Sequence, residues 1–174
     1  MFKTFSNKFA LSVPAAIALA LVGSQLHAQS TSKFVAHLSG RQVRSNAQGQ
    51  AIFELSEEGT RLDYKLIVAN LKNIVKAQIE LVESDENKSV VAVLYAGPKI
   101  NGRFSGVLAE GTITKADLDG PLKEQPLKVL IGEMINRQTY VNVHTTRHLN
   151  GEIRGQIRPE EPDTPRKPAR RQND

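Results

Sequence analysis

The stretch Tyr140–Ile157, YVNVHTTRHLNGEIRGQI, decides the fold class. Two short runs of alternating apolar and polar residues flank an Asn-Gly turn signal at Asn150–Gly151. That pattern predicts a β-hairpin with one face in a core and the other outward. The outward face carries Tyr140, Asn142, His144, Glu152, Arg154 and Gln156, a dense set of hydrogen-bonding side chains and the candidate binding surface. A strict two-residue turn would set Leu149 opposite Glu152 and Val143 opposite Arg158. Cross-strand partners share a sheet face, so Val141 and Val143 would then lie with Glu152, Arg154 and Gln156. Seating them with Ile153 and Ile157 needs an odd-length loop or a bulge. Burial outweighs turn preference, because a one-residue slip exposes every apolar side chain. The expected loop is Thr146–Asn150, about five residues, with His148 near its tip.

Outward from the hairpin the period stays at two. Phe34–Leu38 alternates, as do Ala51, Phe53 and Leu55 and then Leu62, Tyr64, Leu66 and Val68. In Ile74–Val82, Val75, Ala77, Ile79 and Leu81 oppose Lys76, Gln78, Glu80 and Val82. Ser84–Lys88 is a charged turn, and Ser89–Tyr95 (SVVAVLY) is an apolar run suited to a strand buried on both faces. Leu108–Thr114 adds a strand. Leu127–Ile131 reads as a strand or, within Lys128–Asn136, as a short helix. Thr114–Leu118 opens one helical turn, with Thr114 as N-cap, Asp117 three residues later and Pro121 blocking extension. About nine short strands between polar turns argue for an all-β, antiparallel sandwich or partly closed barrel.

The chain start sets the expected compartment. Lys3 and Lys8 precede the apolar run Ala10–Gly23, and no acidic residue falls in positions 1–28. This predicts a signal peptide over residues 1–28, cleaved after Ala28. As a membrane anchor the run is shorter than the roughly 20 residues needed, and Pro14 interrupts it. No later segment spans a membrane, so a soluble periplasmic or extracellular protein is expected. The chain has no cysteine, which excludes a lipoprotein anchor, disulfides, thiolate metal sites and cysteine nucleophiles. Residues 29–158 suffice for one packed core.

Of the formal charge of +5, Lys3 and Lys8 leave with the leader, so the mature chain carries +3. That is too little to argue for nucleic acid, and no basic aromatic stripe accompanies it. The tail, residues 159–174, holds Pro159, Pro162, Pro165 and Pro168 with balanced charges and almost no apolar residues. It is expected to be disordered. Its Arg166–Arg171 cluster is a candidate contact for anionic envelope polymers or lipid headgroups.

YVNVHT followed by GEIRGQI resembles the closing signature of the CHRD domain, the module first recognised in chordin. FVAHLSG at Phe34–Gly40 resembles its opening strand, GQAIFELSEEGTRLDYKLIVANL at Gly49–Leu71 its second and third, and GTITKADLDGPL at Gly111–Leu122 its G-x-I-T-x-x-D-L-x-G-P-L segment. The resemblance covers about residues 33–158 and implies an immunoglobulin-like β-sandwich, often in exported bacterial proteins of unknown activity. Chordin's role as a growth-factor antagonist does not transfer to such a chain. One departure concerns chemistry. Where the family usually shows A-H-I-H, this chain has Ala77–Gln78–Ile79–Glu80, and the glycine-rich connection that follows is replaced by LVESDENKS.

Beyond the leader the histidines are His37, His144 and His148. Two readings of the hairpin face stand. In one, His144 hydrogen-bonds across the sheet and Arg154 pairs with Glu152 or Glu80. In the other, Glu80, His144 and Glu152 converge as a one-histidine, two-carboxylate metal set, since a centre needs three or four ligands. His37 reads as a sheet-face residue and His148 as a loop residue in water. No Gly-x-Ser-x-Gly elbow occurs, and glycine-rich Gly97–Gly106 lacks the ending of a phosphate loop, which leaves it a flexible connection or a binding loop. The expected function is a non-enzymatic binding or structural module of the cell envelope, engaging a protein or glycan. No cofactor is expected. The alternative is a metal-dependent, hydrolase-like enzyme using His144, nearby carboxylates and a divalent metal.

Overall fold

In chain order the elements are β1 (Lys33–Ser39), β2 (Gln48–Leu55), β3 (Leu62–Val82), β4 (Lys88–Tyr95), β5 (Ile100–Ile113), α1 (Leu127–Ile135), β6 (Thr139–Thr145), β7 (Ile153–Gln156) and β8 (Arg158–Pro159). They come from a computed structural model that describes residues 33–83 and 88–161. The expected leader, the Ser84–Lys88 turn up to residue 87 and the tail beyond residue 161 lie outside the described residues. Every strand pairing is antiparallel, and the order β2-β1-β7-β6-β3 closes on itself through β2–β3, forming a five-stranded barrel. β4, β5 and β8 extend it. Of the two architectures expected, the barrel is the one observed.

The long strand β3 makes closure possible. Its first half pairs with β2 on one edge and β5 on the other; its second half pairs with β6 and β4. The sequence reads as two strands here because the alternation breaks between Val68 and Ile74. The chain does not leave the sheet at that break but bulges. Asn70 and Asn73 adopt left-handed backbone (φ 62° and 53°), which asparagine tolerates better than other non-glycine residues. Their side chains support the irregularity: Gly102 N donates to Asn73 Oδ1 at 2.9 Å, and Arg103 Nη1 to Asn70 Oδ1 at 3.1 Å.

The alternating apolar residues meet in one core, with Phe34, Phe53, Leu66, Ile79, Val141, Val143, Ile153 and Ile157 fully buried. Three expectations need correction, and the segment that reads as strand or helix forms a helix. Ser89–Tyr95 is not buried on both faces: β4 pairs along its length only with β3, and Val93 is 49% exposed. Leu127–Ile131 is the start of α1, because Leu127, Leu130, Ile131 and Met134 recur at helical spacing and pack into the core. Gly97–Gly106 is not one connection, since Ile100–Gly106 already belongs to β5 and pairs with the bulged part of β3. Among the described residues the strands number eight rather than about nine, since Leu62–Val82 is one strand, Leu127–Ile131 is helical and β8 is added. The turn after Thr114 forms as a 3-10 turn with both capping-box bonds, Thr114 to Asp117 and back.

The hairpin has the expected parity. Val143 faces Ile153, Val141 faces Gly155 and Asn142 faces Arg154. β7 begins at Ile153, so the loop runs to Glu152 rather than ending at Asn150.

Candidate functional site

The outer face of β3, β6 and β7 is polar, as the alternation implies, yet much of it is hidden from water. Gln78, Glu80 and Asn142 are buried, and His144 is only 4% exposed. The β6–β7 loop folds back over them. Asn142 Nδ2 donates to the Asn150 carbonyl at 3.2 Å, and His144 Nδ1 lies 2.8 Å from the Leu149 carbonyl oxygen. Gly151 makes this return possible. At φ 112°, a Cβ there would fall on Asn142 Oδ1.

Register brings Gln78 beside Asn142 and Lys76 beside His144. Glu80 Oε1 accepts from Gln78 Nε2 at 3.1 Å and from Asn142 Nδ2 at 2.8 Å. Those partners fix the Asn142 amide, because both groups that its nitrogen meets can only accept. The same logic fixes the imidazole. A carbonyl accepts, so His144 Nδ1 carries the proton and Nε2 presents a lone pair. Burial pushes the His144 pKa below 6.5; the Leu149 carbonyl and Glu80 oppose that shift, while Lys76 adds to it. Among the described residues His144 Nε2 has no hydrogen-bond partner, and it stands 3.7 Å from Glu80 Oε1, too far for a hydrogen bond.

The other hairpin residues divide. Arg154 lies over the Tyr140 ring, 3.9 Å from its centroid, and among the described residues its buried Nε has no partner. Gln156 Nε2 donates to Tyr140 Oη at 3.1 Å and to the Arg137 carbonyl at 2.8 Å. Glu152 has partners of its own. Its two oxygens accept from Ser45 Oγ and Thr145 Oγ1, each at 2.7 Å. Glu80 and His144 stand 3.7 Å apart, and Glu152 lines the same cavity as this pair with both of its oxygens engaged by hydroxyls. Among the described residues no three histidine or acidic side chains gather as a metal centre would require. Arg154 stacks on Tyr140 rather than pairing with Glu152 or Glu80, and no ion pair with either forms among the described residues. His37 is exposed on β1 and His148 half-buried in the loop, both away from the Glu80–His144 pair.

Over this face opens a cavity of about 440 Å³. Glu80, Asn142 and His144 contribute to its lining, Lys76, Lys88 and Arg154 bring positive charge, and Leu149–Gly151 supply loop backbone. Sequence reasoning missed Gln78 as a donor to Glu80, although its place on the outward face beside Glu80 was readable. It also missed Ser45, which holds Glu152 from 107 residues away and leaves no local signal.

The family model of the CHRD domain matches residues 34–157. The chain belongs to the CHRD domain family. Neither a search of curated proteins nor a search of solved structures found a match.

Proposed function

We propose that this CHRD-domain protein is exported and serves as a non-enzymatic binding module of the cell envelope, with the cavity above Glu80 and His144 as its site and a glycan as its ligand. One observation carries the reading. The Nε2 lone pair of a neutral His144 is buried with no partner among the described residues, 3.7 Å from Glu80 Oε1, whose own donors are Gln78 and Asn142. An unmatched buried acceptor costs about 1–3 kcal/mol, so a donor entering the cavity is favoured. A hydroxyl fits this demand. It donates to Glu80 or His144 and accepts from Lys76, Lys88 or Arg154 on the walls. A sugar offers several such groups at once. Export rests on the leader expected over residues 1–28; no described helix is long and apolar enough to cross a membrane.

Calorimetric titration of the mature protein with envelope oligosaccharides tests the proposal. Glu80→Gln replaces an acceptor oxygen by a donor and is expected to weaken binding at least tenfold. Equal affinity for the two proteins would sink the glycan site.

A second reading has one point in its favour. The same lone pairs offer two ligands to a divalent ion, as a metal-dependent hydrolase using His144 requires. Glu152 would first have to give up Ser45 and Thr145. Stoichiometric metal in the purified protein, lost in His144→Ala along with a hydrolytic activity, would favour the enzyme.

A further inference from the structure

A second cavity, about 450 Å³, lies on the other side of Glu152, between the 3-10 turn Arg41–Val43, the bulged middle of β3 and the β6–β7 loop. Its chemistry is the reverse of the first. Arg44, Lys72 and Arg147 line it and are exposed, and Arg103 adjoins it through its bond to Asn70. Among the described residues none of these four cations forms an ion pair. Asn70 and Asn73 line it too, and the Oδ1 of each is already taken by an N–H group. The carboxylate in the lining, Glu152, has each oxygen engaged by a hydroxyl.

Backbone strain concentrates at the same place. Arg44, Asn70 and Asn73 all have positive φ (54°, 62° and 53°) and all line this cavity. Left-handed backbone is disfavoured for a non-glycine residue, less so for asparagine. For Arg44 that cost projects a guanidinium-bearing residue from the turn beside Lys72 and Arg147. With three cations against one carboxylate, the lining is net positive and complements a negative group.

We propose that this cavity is an oxyanion site that takes a phosphate, sulfate or carboxylate group. The proposal is independent of the glycan reading, because it uses none of Glu80, Asn142 or His144. Arg44 and Arg147 supply planar forks that match two oxygens of the anion, and Lys72 a point charge.

Three proteins test it by calorimetry near physiological ionic strength: the mature protein, Arg44→Ser/Lys72→Ser/Arg147→Ser, and Lys99→Ser/Lys115→Ser/Lys128→Ser. Both triple variants remove the same charge from exposed positions, and circular dichroism checks that each folds. The probes are inorganic phosphate and dextran sulfate, with neutral dextran as the blank. The mature protein and the Lys99 triple are expected to bind, and the cavity triple to lose at least tenfold in affinity. Binding of phosphate identifies a free oxyanion as sufficient; binding of dextran sulfate alone assigns the site to polymer-borne anions. Equal losses in both triples would reduce the effect to diffuse charge and overturn the site, as would failure of the mature protein to bind either anion. The single reversal Arg147→Glu guards against a misfolded triple and is expected to weaken binding by tenfold or more; unchanged affinity would count against the proposal.

Discussion

At the scale of single residues, His144 and Gly151 carry the site. The imidazole is neutral because burial penalises its charged form, and that has a sign on stability. Above pH 6.5, the ordinary value, both folded and unfolded chains hold the ring neutral and it contributes nothing. Below that value the unfolded chain takes up the proton first, so stability falls as pH drops toward the depressed folded pKa. Thermal melts between about pH 7 and pH 5 are expected to fall more steeply for the native protein than for His144→Gln. Parallel curves would mean that the ring is not held neutral. Gly151→Ala places a methyl on Asn142 Oδ1 at a positive φ. It is expected to cost about 1–3 kcal/mol in denaturant unfolding and to lift the Leu149–Gly151 backbone from the buried face.

At the scale of elements, β3 does most of the organising and was the hardest to read. Its alternation is visible on both sides of Asn70–Asn73, but a bulge and a turn leave the same break in a sequence. Only the partners tell them apart. Gly102 N finds Asn73 Oδ1 across 29 residues, and Asn70 N finds Ser105 Oγ across 35. Asn73→Ala removes one partner and leaves alanine in left-handed backbone, with an expected loss of about 1–2 kcal/mol by chemical denaturation. The capping box after Thr114 is different, since its signal lies within four residues and was legible. Thr114→Ala is expected to cost about 1 kcal/mol. The hairpin sits between these cases. Its parity follows from which residues need burial, but the length of its loop follows from Asn142 and His144 capturing the carbonyls of Asn150 and Leu149. No pattern of hydropathy encodes that capture.

At the scale of the whole molecule, one core serves the barrel, its extra strands and α1. Phe53 is fully buried there and packs against Tyr64, whose hydroxyl donates to the Leu94 carbonyl at 2.8 Å and so ties β3 to β4. Phe53→Ala is expected to cost about 3–5 kcal/mol and to lower every spectroscopic transition together, as a single core requires. Barrel closure also explains why the polar face of β3, β6 and β7 became a buried site. The closed sheet brings Ser39 of β1 beside Arg154 of β7, and the 3-10 turn after β1 then walls the cavity. A barrel was among the architectures expected, but the contact between Ser39 and Arg154 was not legible, because these residues lie far apart in the chain.

The most direct measurement is a nitrogen–proton NMR titration of the mature protein with envelope oligosaccharides, following the His144 ring, the Asn142 side-chain amide and the Gly151 backbone amide. The account expects the His144 ring in its Nδ1-protonated form before addition, and shifts centred on these three groups as ligand is added. A ring protonated at Nε2, or perturbations confined to other faces of the barrel, would contradict it.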